Sequence, residues 1–302
     1  MLCRSQITTV TVFAPAKLNL FLKVLGKRSD GYHELETLML SVGLYDTLRL
    51  TNDSAGQLSL RCFDGAPHHG RAPPRESLAA GPENLVLRAA QLLKDAAGTA
   101  HGAQIDLVKR IPLAAGLAGG SSDAAATLWG LNRLWNLGLS VAELSTMAAR
   151  LGSDVPFFLC STPAAICRGR GEVVEPLPLG TRFWFVIARP ETGLSTAEVF
   201  RHCRPSIVSW SARELAGRLL GGPLQKAAGL FHNALQEPAE RLNADVTRLK
   251  RAFARQPFAG HMMSGSGTSY FGLCRSRRQA VQLAARLKAT RLGDVFVVSS
   301  RP

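Results

Sequence analysis

Paired cysteines are missing from this sequence. Cys3, Cys62, Cys160, Cys167, Cys203 and Cys274 are scattered over 302 residues with no CxxC spacing, which argues against a zinc site or a disulfide framework and suggests buried reduced thiols. No apolar run approaches the roughly 20 residues of a membrane-spanning helix. Internal repeats and heptad arrays are absent too. The start, MLCRSQITTVTVFAPAK, has no basic flank leading into an apolar stretch and a cleavage site, so a cytoplasmic location is expected. Acidic residues are scarce, 22 Asp plus Glu against 36 Lys plus Arg, and the net charge of +14 attracts anions of any kind. That field does not choose among nucleic acid, acidic lipid and phosphorylated metabolites, and the arginines are dispersed rather than striped.

What is present is globular. Hydrophobic residues make up 46% and charged residues 19%, and the length exceeds what one core usually organises, so two domains are expected, residues 1–165 and 166–302. Val12 to Leu25 alternates as a strand would, with Lys17 and Asn19 together on its polar side. A second extended stretch runs from Glu34 to Leu50. From Thr51 to Gly81 the periodicity is lost and Gly, Pro, Ser and His accumulate, which reads in part as a surface insertion carrying His68 and His69. Helices are predicted over Asn84–Ala97, closed by Gly98, over Ser122–Trp135, and from Ser140, whose pairing with Glu143 is a capping-box pattern. Gln104–Ile111 alternates again, with Lys109 as the one charge on its apolar parity. Pro, Gly and Arg gather over Ser161–Gly171. A strand at Phe183–Ala188, a strand ending at Cys274, a helix through Leu283 and Leu287 and a strand at Val295–Val298 complete an α+β pattern.

The segment with most chemical content is PLAAGLAGGSSDAAATL, Pro112 to Leu128, between a predicted strand and a predicted helix. Glycines let backbone approach an anion closely, and first-turn N–H groups with the helix dipole favour negative charge. It is neither GxxxxGK[ST] nor GxGxxG, so the two commonest phosphate-loop classes are disfavoured. MMSGSGTSYFG, Met262 to Gly272, offers a second loop of glycines and hydroxyls suited to closing over a phosphate.

Together with APAKLNLFLKVLGKRSDGYHEL (Ala14–Leu35) and LGSDVPFFL (Leu151–Leu159), these segments in this order resemble the galactokinase, homoserine kinase, mevalonate kinase and phosphomevalonate kinase (GHMP) superfamily. GRGE at Gly169–Glu172 and GLSTAEVF at Gly193–Phe200 fit as well. The resemblance implies a two-domain α+β fold, with an N-terminal ribosomal-protein-S5-domain-2-like domain, a C-terminal ferredoxin-like α/β sandwich, and the active site in the cleft between them. It implies ATP as its Mg²⁺ complex and, through PAKLNLFL with GYHEL, a cytidine diphosphate-linked methylerythritol as the acceptor, phosphorylated on its 2-hydroxyl for isoprenoid synthesis. A homoserine, mevalonate or sugar kinase is the nearest alternative, and a basic nucleic-acid-binding protein the alternative of another class.

Carried over residue by residue, the resemblance makes Asp154 the general base and Lys17 its cationic neighbour. It assigns ATP to Pro112, Leu113, Ala114, Ala115, Gly116, Leu117, Ala118, Gly119, Gly120, Ser121 and Ser122, with Asn84 and Lys109 near the nucleoside. Asn19, Tyr32, His33 and Phe200 fall to the acceptor, the aromatic rings of Tyr32 and Phe200 sandwiching the pyrimidine. No carboxylate is committed to the metal, neither membrane nor nucleic-acid partners are expected, and a monomer or homodimer fits. Ala114 and Ala118 stand where many relatives carry glycine, and a Cβ at 118 narrows the allowed backbone. From the residues alone, helix capping is the other reading for Asp154 and Asn84.

Overall fold

The computed structural model describes residues 2–6, 8–65, 76–77 and 81–300. After β1 (Leu2–Gln6) come two long strands, β2 (Thr9–Lys27) and β3 (His33–Asp53). The predicted alternation in β2 holds at its start, where Val10 and Val12 are buried, but every residue from Ala14 to Leu22 is enclosed. The polar side expected of Lys17 and Asn19 is therefore not a solvent face; they are 4% and 1% exposed. Between the strands, Gly31 takes φ 86° in a turn closed by Arg28 N donating to Tyr32 O.

The insertion reading of 51–81 needs correction. Thr51–Asp53 still belongs to β3, and Leu58–Asp64 forms β4, with Leu60 and Cys62 buried on one parity. Seven residues among polar neighbours are too short for the alternation to stand out, and pairing in register with a distant strand makes them extended. His68 and His69 lie outside the described residues. After a two-residue β5 (Glu76–Ser77) comes α1 (Leu85–Ala97), capped by Asn84 accepting from Val86 N and closed by left-handed Gly98. Then follow β6 (Gly102–Lys109), α2 (Gly119–Leu134), α3 (Val141–Leu151), where both halves of the Ser140/Glu143 capping box form, and α4 (Val155–Leu159).

These elements gather into two compact units. In the first, residues 1–16, 44–111 and 118–161, β3 runs antiparallel to β6, with Leu48 opposite Leu107 and Leu50 opposite Ile105, and β4 runs parallel to β6. A parallel pair needs a crossover, and α1 supplies it between β4 and β6. Helix α2 closes on the sheet through Gly130, where a Cβ would collide with the side chain of Leu50 and press on Val12.

The second unit holds residues 17–43, 112–117 and 162–302. There β7 (Ala164–Gly169) pairs antiparallel with β3 and with β8 (Val173–Leu177), so the Pro-, Gly- and Arg-rich stretch contains a strand whose alanines, Ile166 and Cys167 are buried. Next come β9 (Trp184–Arg189), α5 (Thr196–Arg201), α6 (Ala212–Gly221), α7 (Leu224–Ala228) and β10 (His232–Asn233), which lies parallel to β2. The chain ends with α8 (Gln236–Leu242), α9 (Ala244–Ala254), β11 (Gly260–Met263), β12 (Tyr270–Cys274), α10 (Arg277–Lys288) and β13 (Asp294–Ser299). The order β11-β12-β9-β13, antiparallel throughout, with helices inserted after β9 and β12, is the ferredoxin-like arrangement. Its core includes Val186, Leu249, Phe253, Tyr270 and Leu283.

Candidate active site

The glycine-rich segment begins as predicted just past β6, but α2 starts at Gly119, three residues earlier than the periodicity suggested, because glycines weaken the pattern without preventing the helix. Ser121 and Ser122 thus lie in its first turn. Before it, φ is positive at Ala114 (49°), Gly116 (72°) and Ala118 (55°), and at none of the residues between. Such alternation of hand turns successive N–H groups into one concavity, a nest suited to anions. The loop leads directly into a helix N-terminus whose N-cap, Ala118, makes no side-chain cap. Two alanines hold the left-handed conformation at a cost of about 1–3 kcal/mol each, the kind of strain that functional loops retain.

Lys17 and Asn19 share a face of β2, and the Lys17 ammonium donates to the Asn19 side-chain carbonyl and, at 2.9 Å, to the carbonyl of Gly116. Ser264 Oγ donates to the same Gly116 carbonyl at 3.1 Å and accepts from Asn19 N at 3.3 Å. Asn19 Nδ2 donates to Thr37 Oγ1, which donates to Phe21 O. Asn233 Nδ2 bridges Met263 O and Gly265 O, 2.9 and 2.8 Å away, and so shapes the second glycine loop. That loop packs on the first: a Cβ at Gly116 would collide with the Ser264 carbonyl, and one at Gly265 would stand 3.0 Å from Lys17 Nζ. Of these residues, Ser264 lay in a segment flagged by its glycine-hydroxyl alternation; Thr37 and Asn233 had no signal, being polar residues made significant only by partners distant in sequence.

In the first unit, the charge on the apolar parity of β6 is explained by two carboxylates. Lys109 Nζ donates to Asp46 and, at 2.6 Å, to Asp123, both buried. Burial alone would push the Lys109 ammonium down, but Asp123 and Asp46 outweigh it and hold its pKa above the ordinary value. Burial pushes Asp123 up to about 7, with Asp46 adding to the rise and Lys109 opposing it. Asp123 thus keeps its proton to near neutrality beside the ammonium it shares with Asp46. Ser122 Oγ and Asp123 Oδ1 are buried with no hydrogen-bond partner among the described residues.

Asp154 occupies the N-cap position of α4, yet its side chain makes no capping bond, and Val155 N bonds to Gly152 O instead. The capping reading is thereby disfavoured for Asp154, whereas Asn84 does cap α1. Of the aromatic residues, His33 stacks on Phe200 with centroids 5.1 Å apart and planes 28° apart, and the exposed ring of Tyr32 carries the Arg170 guanidinium 4.5 Å from its centroid. Burial, with Lys27 nearby, lowers the pKa of His33. Among the described residues five cysteines are free thiols, three of them buried. No helix among the described residues is long and apolar enough to cross a membrane. No group of three or more His, Cys, Asp or Glu among the described residues is placed to hold a metal ion.

Comparison with known proteins agrees with this fold. The family profile described as GHMP kinases N terminal domain matches residues 84–162, and that described as GHMP kinases C terminal matches 213–291. A 4-diphosphocytidyl-2-C-methyl-D-erythritol kinase of Pelotomaculum thermopropionicum is 42% identical over 93% of this chain and 94% of its own. The crystal structure of a 4-(cytidine 5'-diphospho)-2C-methyl-D-erythritol kinase superposes with a TM-score of 0.78 at 34% identity, covering 97% of this chain and all of the other. A mevalonate kinase of L. major shares the fold at a TM-score of 0.73 and 16% identity, covering 99% of this chain and 97% of the other.

Proposed function

Because the chain belongs to the 4-diphosphocytidyl-2-C-methyl-D-erythritol kinases of the GHMP kinase family, we propose that Asp154 and Lys17 carry transfer of the ATP γ-phosphoryl group to the 2-hydroxyl of that cytidine diphosphate-linked acceptor. The observation that carries the assignment to this site is the buried Lys17 ammonium donating to Gly116 inside the alternating-hand loop. A cation fixed on the backbone of an anion nest favours a polyphosphate.

The residues present suit that ligand. The loop from Pro112 to Ser122 offers backbone N–H groups, the first turn of α2 and the unpartnered Ser122 hydroxyl, with Asn84 at the nucleoside end and the Lys109 ammonium held by Asp46 and Asp123. A Mg²⁺ bound with the nucleotide would supply neutralisation of phosphate charge beside this loop, with no carboxylate of the chain assigned to it. Lys17 adds fixed positive charge where the transferred group gains negative charge. Asp154 takes the proton of the acceptor hydroxyl as it attacks, and Asn19, locked through Thr37, orients the methylerythritol. Tyr32 and Phe200 hold the pyrimidine between their rings, since ring faces bind bases by stacking, and His33 reads its polar edge. The His33–Phe200 stack must open or the base must cover its outer face. Catalysis of this kind rests on positioning and electrostatics rather than on covalent chemistry with the protein.

A coupled assay of ADP release against the cytidine-linked acceptor, mevalonate, homoserine and galactose tests the reading. Turnover is expected with the first alone; phosphorylation of mevalonate and not of the cytidine compound would sink it.

A further inference from the structure

The loop from Pro112 to Ala118 enters from Arg110 and Ile111 and leaves at Gly119, and one buried charge cluster holds both ends. Asp46 on β3 accepts from the backbone N–H of Arg110 and, at 2.8 Å, of Ile111, the last residues before the loop. Asp123, in the first turns of α2, is held by Lys109 Nζ at 2.6 Å. Lys109 joins the two, donating to both carboxylates. Gly119 makes room for it: a Cβ there would stand 3.2 Å from Lys109 Nζ and 3.0 Å from Ile111. Asp46 is fully enclosed and Asp123 is 2% exposed. A hydrophobic set of this size would stabilise a fold as well as a buried ionic cluster does, since desolvation consumes most of the Coulombic gain. What the ionic cluster adds is direction: it fixes two backbone N–H groups and one helix start relative to a single nitrogen.

We propose that Asp46, Lys109 and Asp123 form a clamp that sets the spacing between the two ends of the phosphate loop, making Asp46 and Asp123 positioning residues for ATP. This rests on the reading of the loop as the ATP phosphate site. On it, the ammonium of Lys109 acts through the two carboxylates rather than as a free cation for the nucleotide. Asp123 Oδ1 and Ser122 Oγ, neighbours in sequence in the first turns of α2, are buried without a hydrogen-bond partner among the described residues, so a change in the protonation of Asp123 acts at the start of α2. The charged groups facing Asp123 are Lys109 of β6 and Asp46 of β3. The residues that α1, α3 and α4 bury toward their neighbours, Val86, Leu93, Leu144, Ala148 and Phe157 among them, are apolar.

The test is Asp123→Asn, assayed with both substrates near pH 8, above the Asp123 midpoint of about 7, where the substitution keeps the shape and removes the charge. The expected result is a rise in KM for ATP of about tenfold or more with KM for the cytidine-linked acceptor held within about twofold, as a misplaced loop weakens its own ligand. A variant with a lowered melting temperature and an unchanged KM for ATP overturns the clamp and leaves only a structural role. Should wild type itself fail to phosphorylate with ATP, the failure belongs to the functional reading and not to the clamp. A second measurement needs no variant: in wild-type protein, the amide resonances of Gly116, Gly119 and Gly120 are followed by NMR beside the Asp123 carboxyl carbon while pH is raised. Loop amides titrating with the carboxyl midpoint support the clamp; loop amides that stay still while Asp123 titrates refute it.

Discussion

Lys17 donates to the carbonyl of Gly116 across 2.9 Å, so a strand near the chain's start and the glycine-rich loop share one charge-assisted hydrogen bond. Lys17→Met keeps the apolar stem and removes the charge, leaving the Asn19 carbonyl without this donor in a buried setting, at a cost of about 1–3 kcal/mol. Turnover is expected to fall at least about 100-fold, with KM for ATP changing much less. Steady-state kinetics check this, and a variant losing only substrate affinity would move Lys17 out of the chemical step.

Gly116 and Ala118 make a paired test of the loop. Gly116→Ala adds a Cβ that collides with the Ser264 carbonyl at a position with φ 72°, so a loss of about 2 kcal/mol or more in stability is expected, together with activity. Ala118→Gly relaxes a left-handed residue at φ 55°, and its gain is offset by unfolded-state entropy, so stability should hold within about 1 kcal/mol and KM for ATP should not rise. Urea unfolding of both variants gives the comparison; equal losses would contradict the left-handed assignment.

Phe200→Ala removes the ring stacked against His33. Base stacking contributes about 1–3 kcal/mol, so KM for the cytidine-linked acceptor should rise between about fivefold and 150-fold while KM for ATP stays put. An equal rise for both substrates would place Phe200 in the fold rather than at the acceptor.

Stability should carry the signature of Asp123. Its carboxyl, raised to about 7, keeps a proton where the same group in an unfolded chain, near 3.8, has lost it. Between those values the folded state binds more protons, so the stability from this group is full below about pH 4 and is lost as pH rises through about 7. Asp123→Asn should flatten that slope between about pH 5 and 8 in thermal unfolding, and an unchanged slope would show that Asp123 is ionised throughout.

How much of this was legible in the sequence follows the range of the interactions. Asn84 before α1, Gly98 after it and the Ser140/Glu143 box act within one turn, so their residue types alone announced them. The α+β order of the second half was visible in outline from apolar strands at either end, whereas its ferredoxin-like arrangement was implied only by the family resemblance. The strand Leu58–Asp64 was not, because its extended form depends on register with β6. The enclosure of Lys17, expected on the polar side of its strand, was hidden for the same reason: alternation reports a strand, not whether its second face is covered. Lys109 stood out as an anomaly, but its explanation lay in Asp46 and Asp123, and neither carries a mark in the sequence that it faces a lysine.

With Asp154 as the base, Asp154→Asn keeps the side chain's size and removes the proton acceptor, and binding of ATP and of the cytidine-linked acceptor to this variant is measured by calorimetry beside single-turnover phosphorylation. Both substrates should bind within about threefold of wild type while phosphoryl transfer slows by roughly 10²- to 10⁴-fold. Transfer at a near wild-type rate with both substrates bound would contradict it.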